Sequence, residues 1–419
     1  MEYIRSKDIF LLMRDVLRFI HPKPMEHGSR VAYMVYLMLK ESGEYEEFEL
    51  ADIVMIATMH DIGAYKTEAG KINDILRYEM KDSMPHAIYG YLFFKYLSPV
   101  PNLAKIILYH NMDYLQLNKV DYKYKKIAQY INIAEKMDVY STSMGSQFNV
   151  HMFDKMAGSK LSSNGLELFH KIEAEHGIFA RIKSGEYMQE LNEIIDYMIF
   201  NNEEKKKFLE MVMYCLGFKG KIMLADNITT ARICEDIAQE IVASEAEREV
   251  LYYSALVHDI GMLAMPREII NASRKLSPDE ATLLRTHVDI MEKTLKDNHM
   301  HEGVCSIARA HHERCDGSGY PDHLTDIQMN MPQRILQVAD VVTALVNPRS
   351  YRKPLPKEKV IAILKEEASK RHLKQQVVTT FVKFYDQIME RVRKESVQAM
   401  KMYEALNMQY ELIGEKYKI

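Results

Sequence analysis

His258-Asp259, followed by His311-His312-Glu313 and then Asp316-Gly317-Ser318-Gly319-Tyr320-Pro321, is the stretch on which the reading of this chain turns. Imidazole and carboxylate side chains together hold hard or borderline divalent cations. The pattern has an echo in the first half. His60 precedes His258 by 198 positions, and His86 and His110 precede His287 and His311 by 201. Asp138 precedes Asp340 by 202, and Arg30 precedes Arg232 by the same interval. Near-constant offsets at five anchors indicate a duplicated domain. A boundary near Asn201-Asn202 is expected, where an Asn N-cap ahead of Glu203-Glu204 opens a new helix. The predicted division is 1–200 and 201–419.

Gly and Pro are few, 17 and 12 in 419 residues, and long runs show apolar spacing near the helical repeat. The predicted fold class is all-α: two tandem helical domains with a C-terminal helical tail. Ser277 as N-cap, Pro278 at the first helical position and Asp279-Glu280 in the first turn predict a helix that carries His287. Leu50, Ile53, Val54 and Ala57 place an apolar stripe ahead of His60-Asp61. Leu251, Ala255 and Leu256 do so ahead of His258-Asp259. Neighbouring helical residues point about 100° apart, so each His-Asp pair is expected to sit on a core-anchored helix and straddle one face. Asp340 lies in an apolar run from Ile335 to Leu345, where an ionised carboxylate calls for a compensating cation. Asp138 has the alternative of pairing with a nearby Lys. In the tail, Phe381, Tyr385, Ile388 and Val392 form a stripe that either packs on the second domain or serves a homodimer.

Composition excludes several classes. Apolar residues make up 47% and the net charge is only -4, so the chain lacks the basic excess of a nucleic-acid polymer binder. The four cysteines form no CxxC pair, which argues against a disulfide framework and fits a reducing cytoplasm. No apolar run approaches the roughly 20 residues of a membrane span. His21, His151, His170, His176, His299, His301, His323 and His372 fall outside the repeat and take an ordinary core or surface reading.

A metal pair bridged by Asp259 would activate water at neutral pH and neutralise a phosphoryl oxygen. Phosphodiester hydrolysis uses both effects. An anionic substrate also needs cations, for which Arg314, Arg349, Arg352 and Lys353 are candidates. Gly317 and Gly319 permit a tight turn, and Tyr320-Pro321 would stiffen it beside the metals.

His258-Asp259-Ile260-Gly261, His287, His311-His312-Glu313-Arg314, Asp316 to Pro321 and Asp340 together closely resemble the HD-GYP domain. The first half, with His27, His60-Asp61, His86, His110 and Asp138, resembles the broader HD superfamily and lacks the Gly-Tyr-Pro loop. The resemblance implies an all-helical fold and a bi- or trinuclear centre, often of iron or manganese. It also implies hydrolysis of cyclic di-GMP. His258, Asp259, His287, His311, His312 and Asp340 would be the second-half ligands. Arg314, Gly319, Tyr320, Pro321, Arg349 and Arg352 would shape the substrate pocket, with Asp259 and Arg314 catalytic.

Each half departs from the pattern. Thr229 stands ahead of Arg232-Ile233 where a His is expected, whereas the first half keeps His27 before Arg30-Val31. Ala225 and Lys23 take the position of a family Glu. Met262 replaces a Lys that contacts substrate phosphate, and Asn111 replaces the second His of the His-His pair. The leading expectation is a cytoplasmic metal-dependent phosphodiesterase with two divalent ions in the active domain and the second half as catalyst. A degenerate cyclic-dinucleotide sensor or scaffold is one alternative. A phosphohydrolase acting through the first half is another, with Lys66 as a phosphate contact.

Overall fold

The computed structural model describes residues 4–67, 84–348 and 352–417. Among the described residues the chain is helical, with no β-strand and two isolated bridges, Ala157 to Leu161 and Asp316 to Thr325. No helix among them is long and apolar enough to cross a membrane. Two compact units are present. One comprises Met1–Ile20 with Lys205–Tyr403, and the other His21–Glu204 with Glu404–Ile419. They are called the C-terminal and N-terminal units below.

The N-terminal unit is built around helix Pro22–Ser42, which packs against Glu47–Thr58 and Lys125–Met144. Its start is set by the His21 side chain accepting from Lys23 N at 3.4 Å, with Pro22 at the first helical position. Its end is set by Gly43, whose φ of 63° is left-handed and whose N–H meets the Lys40 carbonyl. Between the caps Val31 to Leu39 are all buried. Each large apolar side chain removed from water contributes about 1.5–3 kcal/mol.

The C-terminal unit repeats the plan. Helix Lys221–Ile241 packs against Glu245–Val257 and Met331–Val346, and His287–Asp297 packs against Glu302–Arg309. The amphipathic helix Ser6–Ile20 belongs to this unit, burying Ile9, Phe10, Met13, Val16 and Leu17, with Asn298 donating to Asp15 Oδ2 at 2.9 Å. Phe381, Tyr385, Ile388 and Val392 are buried within the same unit. All four cysteines are buried thiols.

Local signals behave as their chemistry dictates. Asn201 and Glu204 form a reciprocal cap, Glu204 N to Asn201 Oδ1 at 3.0 Å and Asn201 N to Glu204 Oε2 at 2.8 Å. Ser277 and Glu280 form another. That second helix, however, stops at Arg285, and His287 opens the next one, Pro278–Arg285 giving way to His287–Asp297. The His-Asp pairs also lie off their helices. Glu47–Thr58 and Glu245–Val257 end just before His60 and at His258, respectively.

Candidate metal centres

The displacement of the histidines to helix ends has a chemical consequence. The last four carbonyls of an α-helix lack intrahelical partners. His258 Nδ1 meets the Ala255 carbonyl at 2.8 Å, His287 Nδ1 that of Leu284 at 2.6 Å, and His311 Nδ1 that of Ala308 at 2.6 Å. His60 and His110 do the same with Ala57 and Ile107, at 2.7 and 2.6 Å. In all five the acceptor stands three residues back. Since a carbonyl only accepts, Nδ1 carries the proton and Nε2 presents its lone pair inward. This is the tautomer that ligating histidines need. Burial pushes His287 down, and pushes His110 and His311 well down, with neighbouring imidazoles adding to the effect. These rings stay neutral at neutral pH.

The inward geometry recurs in both units. His86 and His110 bring their Nε2 atoms to 3.3 Å, as do His287 and His311. The ring centroids of His60 and His110 lie 5.1 Å apart at 76°, and those of His258 and His311 lie 5.0 Å apart at 77°. The glycine two residues beyond each His-Asp pair explains part of this precision. A Cβ on Gly63 would stand 2.0 Å from the His86 carbonyl oxygen, and one on Gly261 would stand 2.0 Å from that of His287. Only glycine lets the two backbones approach so closely.

In the C-terminal unit Asp259 faces the histidine cluster. Its oxygens lie 3.5 Å from His258 Nε2, 3.5 Å from His287 Nε2 and 3.8 Å from His311 Nε2. His312 Nδ1 stands 3.4 Å from Asp340 Oδ2. Burial raises the Asp340 carboxyl, but the His312 hydrogen bond and the facing His312, His258 and Arg314 side chains bring it below its ordinary value. Asp259, His312 and Asp340 remain 29, 24 and 22% exposed, so this centre opens to solvent. The donor set fits a divalent cation. Two ligands at ~2.1 Å from one ion stand ~3–3.4 Å apart, and two lone-pair acceptors at 3.3 Å are stable together only with a cation or proton between them.

A loop covers one side. The Glu313 carboxylate is fully buried and accepts from Asp322 N at 2.7 Å and Leu324 N at 2.9 Å. Gly319 packs against the Glu313–Arg314 backbone, where an added Cβ would meet Arg314 N at 2.3 Å. These contacts hold Tyr320, joined to Pro321 by a cis peptide, over His312, with ring centroids 4.8 Å apart. Arg285 also lies over the Tyr320 ring, 5.0 Å from its centroid. Burial, then the Asp340 and Asp259 charges, keep the Tyr320 phenol protonated. The Arg314 guanidinium donates to the Glu313 carbonyl at 3.1 Å, and Arg352 donates to the Ala344 carbonyl. Arg349 lies outside the described residues. Thr229 Oγ1 accepts from Asn347 Nδ2 at 3.2 Å, and the same amide donates to Asp226 Oδ1 at 2.9 Å.

The N-terminal centre is closed. His27, His60, Asp61, His86, His110 and Asp138 are each at most 4% exposed. Asp61 oxygens lie 3.1 Å from His86 Nε2 and 3.5 Å from His60 Nε2. Burial raises this carboxyl, but the facing His60 and His86 imidazoles, the His86 hydrogen bond and His27 hold it well below its ordinary value. Asn111 Nδ2 stands 2.7 Å from His110 Nε2, whose lone pair points inward, and 3.1 Å from His86 Nε2. Asp138 is committed elsewhere. It accepts from Arg30 Nε at 2.6 Å and Nη2 at 2.8 Å, and contacts His27 Nδ1 at 2.7 Å. Its cationic partner is Arg30 and not a lysine. Glu135, fully buried, joins His60, Asp61 and His110, with ligand atoms of all four within 4.8 Å of one another.

Glu135 was not among the expected ligands. A carboxylate one helical turn before Asp138, so on the same helix face, was the available signal. Its counterpart at the 202 offset is Gln337, a neutral side chain that donates to the Glu313 carbonyl. Arg285 and the loop-holding role of Glu313 were likewise visible only in three dimensions.

Known proteins give matching patterns. Residues 25–142 and residues 210–377 each match an HD domain model. The 3'3'-cGAMP-specific phosphodiesterase 1 of Vibrio cholerae is 24% identical over 398 residues, 91% of this chain and 92% of that protein. A cyclic di-GMP phosphodiesterase of Thermotoga maritima is 32% identical over 161 residues, 38% of this chain and 44% of that protein. The crystal structure of a cyclic GMP-AMP specific phosphodiesterase of V. cholerae superposes with a TM-score of 0.59 at 16% identity, covering 91% of this chain and 98% of that one.

Proposed function

Because this chain belongs to the HD superfamily and carries two HD domains in tandem, we propose that its C-terminal unit hydrolyses a 3'3'-cyclic dinucleotide. The carrying observation is the open cluster of His258, Asp259, His287, His311, His312 and Asp340 beneath the Tyr320 loop. These six residues would hold divalent metal, iron or manganese, in that unit. Bound there, the metal supplies Lewis acidity toward a phosphoryl oxygen and lowers the pKa of a water toward neutrality.

The chain's own residues do the rest. The tautomer lock at His258, His287 and His311 keeps the ligand lone pairs in place without reorganisation at the moment of reaction. Arg314 and Arg285 flank Tyr320 and offer positive charge to a dinucleotide phosphate, while the protonated phenol offers a donor. Glu313 and Gly319 hold the loop that positions them.

Between the two substrates that the relatives' names suggest, 3'3'-cGAMP is favoured over cyclic di-GMP. The relative that aligns along nearly the whole chain is named for the former, and the T. maritima cyclic di-GMP enzyme aligns with 38% of it. The test is purified protein loaded with Fe2+ or Mn2+, offered each dinucleotide separately, with the linear product measured. Faster cleavage of 3'3'-cGAMP is expected. Tight binding of either dinucleotide with no product under any metal would replace the enzyme with a sensor, a reading that Thr229, Ala225 and Met262 support. The N-terminal unit is disfavoured as catalyst because its centre is buried and a dinucleotide must reach the ligands.

A further inference from the structure

A third cluster of metal-binding side chains lies in the N-terminal unit, apart from the buried centre. His151 and Asp154 sit on the short 3-10 segment Val150–Met156, and His170 on helix Ser163–His176. In a 3-10 turn residues i and i+3 eclipse each other, so His151 and Asp154 share one face. The segment is pinned at both levels. Asn149 Oδ1 accepts from His151 N at 3.0 Å and sets its start, and Phe153 is buried edge-on against Tyr140 at 5.1 Å.

One carboxylate is clasped by two imidazoles. Asp154 Oδ1 is 2.8 Å from His170 Nε2, and Oδ2 is 3.1 Å from His151 Nδ1. The two rings lie 4.4 Å apart and tilted by 33°. Candidate ligand atoms of all three residues fall within 4.8 Å of one another. Exposed ion pairs contribute little stability, and His151 and Asp154 are 64 and 52% exposed. Fold stability therefore does not account for drawing three such residues from two elements to one point. Two imidazoles and one carboxylate form the donor set of a borderline divalent cation, with coordination left for water.

We propose that His151, Asp154 and His170 form a surface site for Zn2+, separate from both HD centres, that ties the Val150–Met156 segment to helix Ser163–His176.

The test is Zn2+ titration of the full chain, with its other metal already loaded, by isothermal calorimetry. Wild type is compared with His151→Ala, His170→Ala and Asp154→Asn. The expected result is one equivalent of Zn2+ in the micromolar range, present in wild type and lost in each variant. The Zn2+-dependent rise in melting temperature should vanish with it, while phosphodiesterase rate and metal-free melting temperature stay unchanged. Equal Zn2+ stoichiometry in all four proteins would overturn the site, as would wild-type binding only at millimolar Zn2+. Loss of dinucleotide hydrolysis in wild type leaves this readout intact, so the two proposals fail separately.

Discussion

In the N-terminal centre an amide, Asn111, faces the Nε2 atoms of His86 and His110. In the C-terminal centre the matching position is His312, a third imidazole, one-quarter exposed. Around that difference the two centres share ring distances and angles to within a fraction of an ångström and a few degrees at the His60–His110 and His258–His311 pairs. The scaffold is therefore a generic device for aiming neutral imidazoles inward. What it does next depends on single residues at the rim. A neutral donor satisfies lone pairs without a cation, whereas another acceptor demands one. Equivalent arginines diverge in the same way. Arg30 is bound to buried Asp138, but Arg232 turns to Glu235 at 2.8 Å and Glu395 at 2.6 Å. That leaves Asp340 to the open centre.

The comparison breaks most decisively at the two bridging aspartates. Asp259→Asn should lower hydrolysis by about a thousandfold or more, since metal charge stabilisation amounts to several kcal/mol. Asp61→Asn should leave the rate within about threefold. A steady-state assay below the melting temperature of each variant reads both, and the opposite order would transfer catalysis to the N-terminal unit. Next are the arginines. Arg30→Ala strands the buried Asp138 charge and should cost about 3–5 kcal/mol of stability, whereas Arg232→Ala, a partly exposed network member, should cost about 1 kcal/mol. Denaturant titration compares them, and equal losses would deny that the two sites use their arginines differently. The finest test exchanges the rim residues. His312→Asn should weaken metal binding by about 10–100-fold, and Asn111→His should add metal to the N-terminal unit. Metal analysis of the purified variants measures both, and unchanged content in each would remove Asn111 as the discriminating residue.

Much of this was readable in one dimension, because the helical caps and the repeat depend on local chemistry and on counting. Ser277 with Glu280 and Asn201 with Glu204 cap helices as their side chains require. The offsets between halves paired the residues that the structure then places in matching geometry. Helix ends were read less well. His60, His258 and His287 were expected on helices, yet each stands at a helix boundary. The competing demand was for a carbonyl to bind Nδ1, and only chain ends of helices leave one unpaired.

What the amino-acid order determined alone is the class: all-helical, duplicated, with imidazole and carboxylate at intervals suited to metal. These properties follow from periodicity and residue type, which need no partner in space. Tertiary structure decided which centre is open and which is closed, and that Glu135 joins one of them. It also drew Asp138 away to Arg30 and brought His151, Asp154 and His170 together. Those outcomes rest on burial and on contacts between residues far apart in the chain, where a shift of a few ångströms decides whether a carboxylate meets an arginine or a cation.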